Sequence, residues 1–313
     1  MKIVYMGTPE FARKPLLCLH ESKHEIVAVV TGPDERSGRG GRFVPTPVRK
    51  EAERLGLTVF TPLSLKDDRL YKSLQILRPD LIVVIAFKIL PEKLFTLPRF
   101  GSINIHASLL PKYRGAAPIH WALINGEKET GLTSFFLKKK VDTGDIILQE
   151  KITINHDENY DQLSARLSEM AGPFLLKTID LIEKGEILAR PQQDEEATPA
   201  PKITPETAMI DFGFPAERVR NFVRGLSSHP CAYTFFRGKK VKILACREHQ
   251  DKESTQGTSV QPGTILENKK MLLVQCADSI IEVLTVLPEG KRQMDGVSFL
   301  NGFKPKPGES FGI

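Results

Sequence analysis

Apolar residues recur along the first hundred positions in two alternating rhythms. Short runs at Lys2–Met6, Glu25–Thr31, Thr58–Phe60, Leu81–Ala86 and Ser102–His106 have the length and β-branched content of buried strands. Between them, Phe11–Ser22, Val48–Leu55 and Lys66–Leu77 carry apolar residues three to four apart, the spacing of a helix with one buried face. Thr46-Pro47 offers a capping hydroxyl followed by a proline suited to the first helical turn, and Gly56 offers a stop. This alternation predicts an α/β fold, a doubly wound, mostly parallel, Rossmann-like sheet covered by helices. Sheets of that kind take ligands beyond the carboxyl ends of their strands, so sites are expected just after Met6, Thr31, Ala86 and His106.

Residues 159–184 read as one long helix, with Leu163, Leu167, Met170, Phe174, Leu175, Ile179 and Ile182 on its apolar face and Gly185 ending it. The rhythm then stops. Arg190 to Pro205 holds four prolines and a Gln-Asp-Glu-Glu run without apolar periodicity, which marks a linker at 190–205 between an N-terminal domain, 1–189, and a C-terminal domain, 206–313. Beyond it, short β-type runs at Ala232–Phe236, Lys240–Ala245, Gly263–Glu267, Met271–Cys276 and Ile280–Leu287 are separated by turn signals such as Arg237-Gly238. Their spacing predicts a small OB-like β-barrel.

Composition narrows the class. A length of 313 residues, 41% hydrophobic and 26% charged, is that of a globular protein of about two domains, and the longest apolar run, Leu81 to Phe87, is far short of a membrane span. Cys18, Cys231, Cys246 and Cys276 are widely spaced with no CxxC pair, so reduced buried thiols in a cytoplasmic protein are expected, with neither disulfides nor a metal site. The formal charge of +6 is shared by both halves and is compatible with a polyanionic partner. A monomer is expected, because no apolar surface patch is legible.

The first strand-to-helix turn, Gly7-Thr8-Pro9-Glu10-Phe11, lacks the G-x-G-x-x-G spacing that seats a pyrophosphate, which argues against a nicotinamide cofactor. Chemistry concentrates further on. In the strand Ser102–His106, alternation places Ser102, Asn104 and His106 on one face and Ile103 and Ile105 on the other. An amide and an imidazole two residues apart at the carboxyl end of a strand combine an oxyanion donor with a proton-transfer group, although the same pair also serves purely structural roles. Asp142 lies in a Gly144-containing turn between strand-like Leu132–Leu137 and Ile146–Glu150, where spacing alone fits a turn-forming aspartate. From Arg36 to Lys50 there are five basic residues, three glycines and no acidic residue, a composition typical of a solvated loop.

The strings Ser108-Leu109-Leu110-Pro111 and Arg114-Gly115-Ala116-Ala117-Pro118-Ile119, with Asp142-Thr143-Gly144-Asp145 and Pro262-Gly263-Thr264-Ile265, resemble the folate-dependent formyltransferases, and among them the methionyl-tRNA formyltransferase family. The resemblance runs through nearly the whole chain. It implies Asn104, His106 and Asp142 as the catalytic trio, and formyl transfer from 10-formyltetrahydrofolate, as co-substrate, to the amino group of initiator methionyl-tRNA, without a metal. It also implies folate contacts from Ser108, Leu109, Leu110 and Pro111, and a pterin pocket lined by Phe87 and Leu90. Here Phe87-Lys88-Ile89-Leu90 departs from the family pattern, one residue shorter and without its glycine. The basic loop resembles the family's insertion into the tRNA acceptor end, with Arg36, Arg39 and Arg42 as phosphate contacts. Lys239 and Lys240 of the C-terminal domain are further candidates.

Overall fold

Seven strands of the N-terminal half pair in the order Ile146–Thr153, Glu129–Phe136, Ser102–His106, Leu81–Ile85, Lys2–Gly7, Glu25–Val30, Val59–Phe60. This computed structural model describes residues 1–37, 41–249 and 260–312. Lys2–Gly7 pairs in parallel with both Glu25–Val30 and Leu81–Ile85, so the chain builds the sheet first to one side of its opening strand and then to the other. The switch between the two directions opens a crevice at the carboxyl ends of Lys2–Gly7 and Leu81–Ile85, where a doubly wound sheet accepts ligands. Only Glu129–Phe136 breaks the parallel run, lying antiparallel to both Ser102–His106 and Ile146–Thr153.

The central strands read as unbroken apolar runs because both their faces are covered. All five residues of Leu81–Ile85 are buried. Val4, Met6, Ala28, Val30, Ile82 and Val84 alternate onto one face, where Leu70 and Leu74 of the helix Asp68–Leu77 meet them. The long helix Tyr160–Lys184 buries Leu167, Phe174, Leu175 and Ile179 and ties itself down through Ser168 Oγ donating to the Phe11 carbonyl at 2.9 Å and Thr178 Oγ1 donating to Ser134 Oγ at 3.0 Å. Each such fully buried side chain contributes about 1.5–3 kcal/mol. Helix starts follow their caps. Thr46 Oγ1 accepts from Arg49 N ahead of Pro47–Arg54, and Asp67 accepts from Arg69 N, so the third helix begins at Asp68 and not at Lys66.

The described residues divide into two compact units. One draws on Met1–Pro118, Glu129–Thr153 and Ser164–Ala200; the other combines Pro201–Ile313 with Ile119–Lys128 and Ile154–Leu163. In this second unit a six-stranded antiparallel sheet, ordered Ala232–Phe236, Lys239–Glu248, Ile280–Pro288, Leu272–Gln275, Ile265–Leu266 with Met294–Asp295 beside Ile280–Pro288, curls into a half-barrel of OB type. Arg237 (φ 49°) and Gly238 (φ 70°) form the two-residue hairpin turn whose left-handed pair matches strand twist. Bulges near Ile243 and Ala245 bend the longest strand around the core of Phe236, Phe299 and Phe311. Trp121 packs against that core and donates to the Pro201 carbonyl at 2.8 Å. Among the described residues no helix is long and apolar enough to cross a membrane.

Candidate active site

Register fixes the first two polar groups. In the strand Ser102–His106, Asn104 stands opposite Phe135 on one neighbour and Val84 on the other, and His106 opposite Thr133. Asn104 and His106 thus face the same way, about 7 Å apart along the strand. Asn104 Oδ1 is buried and has no hydrogen-bond partner, one of two such buried side-chain atoms among the described residues. A buried carbonyl oxygen left unpaired in this way costs about 1–3 kcal/mol, and sites that bind polar ligands are where that cost is retained.

The imidazole of His106, 6% exposed, places Nε2 at 2.8 Å from the Tyr113 carbonyl. A carbonyl only accepts, so Nε2 carries the hydrogen and Nδ1 is the nitrogen left for chemistry. Nδ1 faces Asp142 Oδ2 at 3.9 Å, longer than a hydrogen bond but close enough for that carboxylate to stabilise an imidazolium. The ring's fixed hydrogen bond therefore goes to a backbone carbonyl that sequence reasoning did not identify.

Asp142 is delivered by the turn between Glu129–Phe136 and Ile146–Thr153. Its backbone is left-handed at φ 54°, its Oδ2 accepts from the Gly115 amide at 2.8 Å, and its carbonyl accepts from Gln192 Nε2 at 2.9 Å. Gly144 is required there because an added Cβ would lie 1.5 Å from the Phe136 carbonyl oxygen. Gly115, at φ 130°, is held as tightly, since a Cβ on it would approach the Ala200 carbonyl oxygen to 2.5 Å. The three residues expected from sequence are thus brought to one end of the sheet, with the Gly115 amide on the Asp142 carboxylate and Gln192, which the sequence did not single out, on its carbonyl.

The segment after His106 is braced from below. Thr133 Oγ1 donates to the Ser108 carbonyl at 2.6 Å and accepts from Leu110 N at 3.1 Å; Gln149 Nε2 donates to the Leu110 carbonyl at 2.8 Å. Arg190 in turn donates to Gln149 Oε1 at 2.6 Å. Ser108 is fully buried with its hydroxyl donating to the Lys112 carbonyl, and Leu110 is buried against Phe135 and Ile146. These two shape the loop, while Leu109 and Pro111 remain half-buried and accessible to a ligand. Across the crevice, Phe87 is half-buried, Leu90 is buried in the cluster around Met6 and Val84, and Ala86 turns the chain at φ 48°, doing with an alanine what a glycine does more readily.

Arg36 and Arg42 lie on an antiparallel hairpin, Glu35–Ser37 with Arg42–Val44, and Arg39 lies outside the described residues. The base of this excursion is closed by Thr31 Oγ1 and Thr46 Oγ1, 2.8 Å apart and buried. In the second unit Lys239 and Lys240 begin the strand after the Arg237-Gly238 turn, with Lys240 Nζ over the Tyr233 ring at 3.7 Å. The four cysteines are free thiols, and burial pushes Cys246 and Cys276 up to about 12. His24, Asp180 and Glu183 form the one described group with metal-ligand spacing, at the amino end of Glu25–Val30; both carboxylates are already paired with Lys23, at 3.1 and 2.8 Å.

Residues 1–179 match the formyl transferase family model and residues 202–304 that of the formyl transferase C-terminal domain. A methionyl-tRNA formyltransferase of Caldanaerobacter subterraneus is 44% identical over 306 residues, 96% of this chain and 97% of that protein. Among solved structures, a methionyl-tRNA formyltransferase from Clostridium thermocellum superposes with a TM-score of 0.56 at 18% identity, covering 80% of this chain and 95% of that one. HypX from Aquifex aeolicus in complex with tetrahydrofolic acid superposes at 0.62 and 17% identity, covering 98% of this chain and 48% of that one. The chain belongs to the formyl transferase family, and within it to the methionyl-tRNA formyltransferases.

Proposed function

We propose that this protein moves the formyl group of 10-formyltetrahydrofolate onto the free α-amine of initiator methionyl-tRNA, giving N-formylmethionyl-tRNA. The observation that carries the reading is the convergence of a buried, unpartnered Asn104 Oδ1 with the His106 imidazole and the Asp142 carboxylate 3.9 Å from that ring. In the reaction the amine nitrogen attacks the formyl carbon, the carbonyl oxygen becomes an oxyanion, and the bond from that carbon to N10 of the folate breaks. Asn104 Nδ2 donates to the oxyanion while Oδ1 accepts an N–H of the incoming amine. His106 Nδ1, unprotonated, takes the proton that the amine must lose; Asp142 stabilises the resulting imidazolium, which returns the proton to N10 as it leaves. Both substrates are thus consumed without any net change in the protein's protonation.

The finer assignments rest on the same reading. Leu109, Pro111 and Phe87 make the apolar contacts to the folate, with Ser108, Leu110 and Leu90 as buried supports. The basic segment that includes Arg36, Arg39 and Arg42 follows the phosphates of the acceptor end, and Lys239 and Lys240 of the C-terminal domain supply further phosphate contacts. The protein is taken as a cytoplasmic monomer, for which light scattering should read its 35.0 kDa mass. The decisive assay incubates the protein with charged initiator tRNA and formyl donor and looks for N-formylmethionine. Product from a nucleotide-linked amino sugar with none from the tRNA would overturn the reading.

A further inference from the structure

Residues 190–200, which composition marks as a plain connection, grip the loop that carries Asp142. Gln192 Nε2 donates to the Asp142 carbonyl and to the Gly144 carbonyl, both at 2.9 Å. Its Oε1 accepts from Arg114 Nε at 3.0 Å and Nη2 at 2.8 Å. Arg114 Nη1 continues to Asp194 Oδ1 at 2.8 Å, and that hydrogen bond, followed by Lys140 nearby, holds the Asp194 carboxyl below its usual range. The backbone is tied as well. Thr198 Oγ1 accepts from Tyr113 N and its carbonyl from Arg114 N, both at 2.9 Å, and Pro199–Ala200 pairs in parallel with Arg114–Gly115.

Asp142 is therefore held at both ends by one dipeptide. Its carboxylate takes the Gly115 amide directly, and its carbonyl reaches the Arg114 guanidinium through the Gln192 amide. A non-glycine residue keeps a left-handed backbone only where its surroundings hold it there, and Asp142 sits at φ 54°. The bridging group has to donate two hydrogens to carbonyls on one side and accept from a guanidinium on the other. A primary amide does both; a carboxylate would oppose the carbonyls, an ammonium would repel Arg114, and asparagine is one methylene short.

We propose that Gln192 is a positioning residue for the formyl-transfer step: it fixes the Asp142 loop so that the carboxylate stays opposite His106 Nδ1, without itself touching either substrate. This rests on the reading of Asp142 as a catalytic group. Gln192 is half-buried, so water can satisfy the groups it leaves behind and the paired backbone of Arg114–Gly115 and Pro199–Ala200 remains. The loss falls on the placement of one carboxylate, where small displacements at a reacting centre are costly.

The experiment measures kcat and both KM values in the full-length enzyme for the parent, Gln192→Met, Gln192→Glu, Asp142→Asn and the Asp142→Asn/Gln192→Met pair. Gln192→Met should lower kcat about tenfold or more with both KM values within about twofold, and Gln192→Glu should lower it further although Arg114 keeps its partner. In the Asp142→Asn background, Gln192→Met should cost less than about twofold, because its effect runs through the missing carboxylate. Parent-like kcat in both Gln192 variants, equal losses in the two backgrounds, or a rise in KM at constant kcat each overturn the proposal. Should the methionine variant not fold, the isosteric Gln192→Glu and its pair with Asp142→Asn carry the same test. Parent-like turnover in Asp142→Asn would instead remove the catalytic reading on which the proposal stands.

Discussion

Replacing Thr133 with valine keeps the shape of a fully buried side chain and deletes a single hydroxyl that serves two strands' worth of loop. That hydroxyl donates to the Ser108 carbonyl and accepts from Leu110 N and, at 3.0 Å, from Gln149 Nε2. Valine leaves the Ser108 carbonyl without this donor and the buried Leu110 amide without an acceptor, at about 1–3 kcal/mol for each buried group left unpaired. Gln149 is half-buried and retains the Leu110 carbonyl, so its share is small. Thr133→Val should therefore destabilise the N-terminal unit by roughly 3 kcal/mol, whereas Thr133→Ser, which keeps the hydroxyl and loses one methyl group, should cost about 1 kcal/mol. Far-UV circular dichroism during urea unfolding reads both, because the chain's single tryptophan, Trp121, belongs to the other unit. The loop it anchors is proposed to contact the folate, so KM for the formyl donor should also rise in Thr133→Val while Thr133→Ser stays near the parent. Equal stabilities for the two variants would refute the hydrogen-bond account, since the serine retains every polar contact and the valine retains the volume.

Two other expectations follow from charge. His120 stacks on Tyr160 at 3.8 Å and its Nδ1 donates to the Gly225 carbonyl, 2.7 Å away; burial lowers its pKa below the ordinary value, with the carbonyl bond opposing in part. Below about pH 6.5 the unfolded chain takes up a proton that the folded imidazole does not, so stability of the C-terminal unit should fall as pH drops through that value. Urea unfolding followed by Trp121 fluorescence should show this decline between pH 7.5 and 5.5, and a smaller one in His120→Gln. Arg42→Ala should weaken tRNA binding and reduce the slope of log K against log salt by about 1 while turnover at saturating tRNA persists; an unchanged slope would remove Arg42 from the phosphate contacts.

What the sequence disclosed and what it withheld divide along a physical line. Strands such as Leu81–Ile85 and Ser102–His106 were legible because burial on both faces, or on alternate positions, is written into side-chain type. Asn104 and His106 could be put on one face from alternation alone. Asp142 could not: its turn looks like many turns, and only the resemblance of its flanking residues to the formyltransferases singles it out. Gln192, Thr198 and Ala200 were hidden more deeply. Their contacts to Asp142, Tyr113, Arg114 and Ala117 are made largely through backbone carbonyls and amides, which leave no mark on composition, and the prolines around them read as a break in structure. The same holds for Tyr113, whose carbonyl and not its ring holds the His106 imidazole. Ile119–Lys128 and Ile154–Leu163 group with the C-terminal unit through long-range contacts such as His120 to Gly225 and Arg220 to His156, which no local periodicity reports.

The account turns on His106 as the group that carries the proton from amine to N10. Single-turnover formylation of methionyl-tRNA by His106→Ala, with tRNA affinity measured on the same preparation, tests it most directly. The account expects turnover lower by about 10²-fold or more, the scale of a lost acid–base group, with tRNA affinity within about twofold of the parent. Turnover near the parent's, or a loss of activity that follows a matching loss of tRNA binding, would contradict it.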